Sequence, residues 1–339
     1  MNEKAATVER RAGLPGLTLR PYAGQADLPV LVDILNRELE ADAIPFREDV
    51  GHMGAWFSTS SAGFDPVRDV TVAEVDGVPV AWADRSWVDT TLEPIMREYR
   101  MTGAVLPEWQ RKGIGTTLLL HNEERQRELA RTHETDHPRV FGSWTSTRQA
   151  SAIALLKAHG YEDVRHFYEM TRPLSEPIPD VPAPEGLEIR PVREDEYRKI
   201  WRADIEAFKD HWGGFEDSEE QYQRWLVRPD FDPSLWVVVF DGEKVAGASI
   251  NAISKEENEM LGVKRGWLHG VFTMREYRRR GVARAAVAQS LKVFKERGLD
   301  TGILGVDATN PTGALRVYEG LGFSVAEHST AWRKPMEIE

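Results

Sequence analysis

Two short runs pair glycine with basic residues at a spacing suited to gripping an anion: Gln110-Arg111-Lys112-Gly113-Ile114-Gly115-Thr116 and Arg278-Arg279-Arg280-Gly281-Val282-Ala283-Arg284. Each follows a β-branched run and opens a long helical pattern. A strand, a glycine-bearing turn and a helix N-terminus present backbone N–H groups to a phosphate. Gly113, Gly115 and Gly281 carry no side chain and Ala283 only a methyl, so a ligand can come close to the backbone. The flanking arginines and Lys112 can add charge-assisted hydrogen bonds. One copy alone reads equally well as a basic loop ahead of a helix. Two copies, 168 positions apart from Gly113 to Gly281 in a chain of 339 residues, point to a duplicated domain and a pyrophosphate-bearing ligand.

Two familiar nucleotide patterns do not fit. A P-loop ends in Gly-Lys-Ser/Thr, which neither turn has. The dinucleotide fingerprint needs three glycines after the first strand of its unit, whereas these turns follow the fourth.

The elements around the turns repeat. Leu17-Thr18-Leu19-Arg20-Pro21 matches Leu187-Glu188-Ile189-Arg190-Pro191 as a short first strand, followed by helical patterns at Ala26–Leu39 and Asp195–Phe208. Hairpins follow at Asp76-Gly77 and Asp241-Gly242, dipeptides that favour tight reversals between β-branched runs. A fourth strand leads into each turn, Thr102–Leu106 and Leu268–Thr273. The helices behind run about Ile114–Arg131 and Val282–Arg297. Each half closes with a strand (Val140–Trp144; Thr301–Val306), a short helix and a Gly-aromatic step, Gly160-Tyr161 or Gly322-Phe323. Four prolines between Ser175 and Gly186 mark an extended connector. The expected fold is α/β, with two tandem domains, 1–174 and 187–339, joined by a linker at 175–186. Each is a mixed central sheet flanked by helices.

Composition limits the partners. The net charge of −12 disfavours nucleic acid and anionic lipid. No apolar run reaches the length of a membrane span and no signal core opens the chain, so a cytoplasmic protein is expected. Cysteine is absent, which excludes disulfides and thiolate chemistry. Nine scattered histidines form no H-x-x-x-H pair on a helix, so metal catalysis is not expected.

The motifs resemble the GNAT superfamily of N-acetyltransferases, whose signature Gln/Arg-x-x-Gly-x-Gly/Ala is met at Gln110–Gly115 and at Arg278–Ala283. The segment from Asn310 to Phe323 resembles that family's second signature, and the tandem layout resembles that of mycothiol synthases. The resemblance covers nearly the whole chain and implies acetyl-CoA as co-substrate. Backbone of Val271, Phe272 and Thr273 would pair with the pantetheine arm, and amides from Arg279 to Arg284 would hold the pyrophosphate. Asn310 would contact the cofactor, and Tyr318 would protonate the departing thiolate. In the first half, Ala104, Val105 and the turn from Gln110 to Thr116 take the corresponding places.

The halves are unequal. Aligning the Gly-aromatic steps sets Leu156 opposite Tyr318 and Arg148 opposite Asn310, so the first half lacks the acid. Catalysis is expected in the second half, while the first either binds acetyl-CoA without turnover or shapes the acceptor pocket. For the base, His269 and Glu259 are candidates, with Asp210 and His211 at the acceptor wall. The expected reaction is acetyl transfer to a primary amine of a small molecule, by direct attack in a ternary complex. The alternatives are a protein lysine or N-terminal acetyltransferase, or a non-catalytic acyl-CoA sensor. A monomer or homodimer is expected.

Overall fold

The computed structural model describes residues 13–58, 60–209, 211–213, 217–310 and 313–338. They divide into two compact units, Met1–Val164 with Thr330–Glu339, and Arg165–Ser329.

In the first unit, β1 (Leu17–Pro21) leads through helix α1 (Leu28–Ala41) and the short helices α2 (Val50–Trp56) and α3 (Pro66–Asp69) to a hairpin. There Asp76 (φ 51°) and Gly77 (φ 80°) turn β2 (Val70–Val75) onto β3 (Val78–Asp89). Positive φ at both central residues matches the right-handed twist of the flanking strands. Strand β4 (Arg97–Val105) follows antiparallel to β3, then helix α4 (Ile114–Ala130) and β5 (Arg139–Ser146), parallel to β4. Helix α5 (Ala150–Ala158) ends this sequence block.

The second unit repeats the plan. Strand β6 (Glu162–Pro173) contributes its residues from Arg165, and pairs antiparallel with the later strand β11 (Thr301–Asp307) from Phe167↔Asp307 to Pro173↔Thr301. Then come β7 (Glu188–Ile189), α6 (Tyr197–Phe208), α7 (Glu219–Leu226), β8 (Val237–Asp241), β9 (Lys244–Ala252), α8 (Lys255–Leu261), β10 (Arg265–Thr273), α9 (Val282–Glu296), β11 (Thr301–Asp307), α10 (Ala314–Glu319) and β12 (Ser324–Pro335). Strands run in the order β6-β11-β10-β9-β8-β7, with β10 and β11 parallel and their other pairings antiparallel. Mixed sheets with helices packed on them are what the element order implied. The second hairpin reverses one residue later than expected, over Gly242-Glu243 between Asp241 and Lys244.

The units divide elsewhere than at 175–186. That segment has neither helix nor strand, but it lies inside the second unit. Arg172, fully buried on β6, donates to the carbonyls of Pro177 at 2.7 Å and Leu321 at 3.0 Å, tying the proline-rich stretch to the core beside α10. Residues from Thr330 belong to the first unit, where the Met336 amide donates to Arg139 O at 2.9 Å.

In the second unit, α6 covers one face of the sheet. Its Ile200 and Ala207 cluster with Val238, Phe240, Ala248, Ile250 and Phe272. Helix α9 covers the other, with Val282 and Ala286 clustered with Val237, Val239 and Ala246. The alternation 237/239 against 238/240 is the two-residue pleat. Among the described residues no helix is long and apolar enough to cross a membrane.

Candidate active site

Strands β10 and β11 pair only from Arg265↔Thr301 to Trp267↔Ile303, then part. Residues 268–273 of β10 therefore face an open edge. The Met274 amide donates back to Ala246 O at 3.0 Å, so by alternation the N–H groups of Val271 and Thr273 point away from β9. The Oγ1 of Thr273 is buried without a hydrogen-bond partner. Beyond it, Arg279 (φ 63°) and Gly281 (φ 87°), the N-cap of α9, curl the turn into a concave run of amides. A Cβ built on Gly281 meets nothing within 4 Å, so the space above the turn is open. Of the flanking side chains, Arg280 donates to Glu185 O at 3.3 Å and Arg278 to Thr273 O at 3.4 Å, while Arg279 and Arg284 are exposed. Val282 is buried beneath the turn and Ala283 half-buried beside it. A diphosphate with an extended amide-bearing arm fits this arrangement: anion at the turn, amides along the edge, an orphaned hydroxyl between them.

Tyr318 lies on α10, buried in one cluster with Leu268, Leu304 and Val306. Leu268 and Leu304 are the first residues past the last paired register, so the phenol is packed where the strands part. Burial pushes its pKa well above the ordinary tyrosine value, which keeps it a proton donor. Its ring meets Phe323 edge-on at 6.0 Å. Asn310 follows β11, its amide donating to Asp307 O at 3.1 Å.

On the α6 face, a cavity of about 320 Å³ reaches the sheet at a bulge in β10 between Leu268 and Gly270. His269 is the bulged residue, with Nε2 at 3.6 Å from Asp230 Oδ2, and its ring lies parallel to Trp267 at 5.4 Å. Asp230 is held by Arg228 through two hydrogen bonds of 2.9 and 2.7 Å. Across from them stands Asp204 on α6, a residue the sequence reading did not single out. Burial pushes its carboxyl up to about 7. The signal for it was an acid within the apolar stripe of Ile200, Ala207 and Phe208.

The other acceptor-side candidates are not gathered here. Glu259 is exposed on α8 and does not line the cavity. Ser254 caps that helix, which turns Glu257 inward to take Arg265 at 2.6 Å and Trp267 Nε1 at 2.9 Å. The His211 ring lies tilted against Phe208 at 4.4 Å, outside the cavity lining. Asp210 lies outside the described residues.

The first unit has the same turn, with Arg111 at φ 61° and Gly113 at φ 85° capping α4, and β4 parts from β5 after Arg100↔Gly142. Its edge is filled, however. Glu38 of α1 accepts from the Val105 amide and from Gln110 Nε2, each at 3.3 Å. Ala104 and Ile114 are buried in the core and Thr116 is half-buried. A Cβ on Gly115 would stand 3.3 Å from Leu155, and Lys112 sits over the Trp109 ring at 4.4 Å. Leu156 is buried at the place corresponding to Tyr318.

Comparisons with known proteins agree with this geometry. Residues 197–323 match the Acetyltransferase (GNAT) family. The mycothiol acetyltransferase of Salinispora arenicola is 29% identical over 267 residues, spanning 76% of this chain and 79% of that protein. That of Rhodococcus erythropolis is 26% identical over 261 residues, 74% of this chain and 79% of that protein. Among solved structures, a GCN5-related N-acetyltransferase from Sphaerobacter thermophilus superposes with TM-score 0.69 at 24% identity, covering 95% of this chain and 96% of that one. A tandem GNAT protein from the clavulanic acid biosynthesis pathway gives TM-score 0.69 at 15% identity, covering 94% and 98%. Residues 197–323 thus match the GNAT acetyltransferase family, and the chain is an acyltransferase with the fold of a tandem GNAT protein.

Proposed function

We propose that the C-terminal half transfers an acetyl group from acetyl-CoA to the primary amine of a small acceptor, with both molecules bound together. The observation that carries this reading is the parting of β10 from β11 after Trp267. It leaves a gap with an anion cradle at one end, Tyr318 packed on the α9 face and the His269 cavity on the α6 face. The amides from Arg279 to Arg284 would hold the diphosphate, with Arg278, Arg279 and Arg284 adding charge. Backbone of Val271, Phe272 and Thr273 would hold the pantetheine arm, and Asn310 would close the opposite side. Bound there, acetyl-CoA supplies an activated acyl carbon and a thiol leaving group.

The protein's own residues then divide the proton work. His269, steadied by Asp230 at Nε2, is the residue to which an acceptor ammonium could lose its proton. The Tyr318 hydroxyl, kept protonated by burial, donates on the other face. The cavity's volume of about 320 Å³ supports a small acceptor over a peptide. The name mycothiol acetyltransferase, borne by the relatives, supports acetyl as the acyl group. In the N-terminal half the Glu38 contacts and Leu156 support a role without turnover.

Thermal shift with CoA and acetyl-CoA tests the donor site, because a ligand selective for the folded chain raises its melting temperature. A thiol-release screen over amines tests the reaction. The reading predicts stabilisation by both and amine-dependent release. Stabilisation without release across a broad amine panel contradicts it.

A further inference from the structure

Asp204 is costly as it stands. Its Oδ1 is buried without a hydrogen-bond partner, and lies 3.1 Å from where Gly270 would carry a Cβ. Any larger residue at 270 would press on the carboxylate, so the glycine lets Asp204 reach the β10 bulge beside His269. A buried carboxylate oxygen with no donor weakens a fold unless something else supplies one. The other acid in the cavity is matched already: Asp230 takes both Arg228 hydrogen bonds and faces His269. Among the described residues lining the cavity, Asp204 is thus the carboxylate left to receive an added cation.

The wall around it is aromatic. Trp225 and Trp236 stack at 4.9 Å, and Phe231 meets each edge-on, at 5.1 and 5.2 Å. All three line the cavity together with Phe208. Such a wall suits a flat or apolar body, and its ring faces suit a single cation. A second ammonium would be buried with no anion to meet it.

We infer that this cavity selects a singly charged amine carried on an apolar, planar body, with Asp204 as its counter-ion at the β10 bulge. The inference rests on the cavity being the acceptor site, and narrows the acceptor class away from polyamines and aminoglycosides.

Calorimetric titration of the CoA-free full chain, at about pH 8 where Asp204 is ionised, tests it with three probes: phenethylamine, phenethyl alcohol and spermidine. Phenethylamine is expected to bind at least about tenfold tighter than either of the others. In Asp204→Asn the amine should fall to the affinity of the alcohol, while alcohol binding stays within about twofold of wild type. Equal binding of amine and alcohol to the wild type overturns the inference, and so does spermidine binding as tightly as phenethylamine. The wild-type comparison stands even if the variant fails to fold. No CoA enters these titrations, so a failure of acetyl transfer is read separately, in thiol release.

Discussion

Glu38 accepts a hydrogen bond at 3.3 Å from the amide of Val105, the last residue of the strand leading into the first glycine turn. The Leu106 amide donates to Val80 O at 3.0 Å, so the Val105 amide points to the opposite, open edge. That is the edge along which Val271 and Thr273 offer their amides in the second unit. The acids that open the two helices, Asp27 paired with Arg20 and Glu196 paired with Arg190, stand 169 positions apart, an offset that sets buried Ala207 opposite Glu38. A methyl leaves that track clear; a carboxyl fills it.

The stoichiometry of CoA binding should follow. Titration of the full chain with acetyl-CoA by calorimetry is expected to saturate at one equivalent per chain. Two equivalents would mean that the Glu38 contact gives way readily, and none would remove the donor site altogether.

Tyr318→Phe keeps the ring packed against Phe323 and removes only the hydroxyl. The thiol-release kcat should fall by about 10²-fold or more, with acetyl-CoA affinity little changed. An unchanged single-turnover rate would take Tyr318 out of the chemistry.

Asp204 gives a pH signature independent of activity. Its folded carboxyl titrates near 7, above the ordinary aspartate value of 3.8, because burial disfavours the charge. Between those two values the unfolded chain has released the proton while the folded chain retains it, so stability contributed by this group falls as pH rises through the window. Without ligand, Asp204→Asn should therefore raise stability above pH 7 by on the order of 1–3 kcal/mol, read as a higher melting temperature, and change it little near pH 4. For the same reason an amine cation should bind wild type more tightly as pH rises through about 7. In this titration His269, Asp230 and Arg228 face the same cavity, so the Asn variant serves as the control.

Gly281→Val tests the cradle. At φ 87° any side chain is strained, at a cost of roughly 1–2 kcal/mol. The space above the turn is open, so folding should survive while a branched side chain occupies it. CoA affinity should drop by about tenfold or more, measured by titration; wild-type affinity in a folded variant would move the diphosphate elsewhere.

What local chemistry governs was readable in advance. The Asp76-Gly77 reversal, both turns and the helices behind them follow from φ preference and apolar period. The exchange of β6 and the end of β12 was not, because strand pairing is long-range and the prolines at 175–186 suggested a nearer seam. Ser254 with Glu257 three residues on is a capping signature for helix α8, and it is Glu257, not Glu259, that turns inward. Asp204 stood in plain view as an acid on an apolar stripe, but its contact with Gly270 needed the tertiary fold.

The central claim is that the second cradle delivers an acetyl group to an amine. Amine-dependent thiol release from acetyl-CoA, compared between wild type and Arg279→Glu/Arg284→Glu, tests it most directly. Release by the wild type, lowered at least about tenfold in the double variant at subsaturating acetyl-CoA, is the expected result. Equal rates in both proteins, or no amine-dependent release by the wild type, would contradict it.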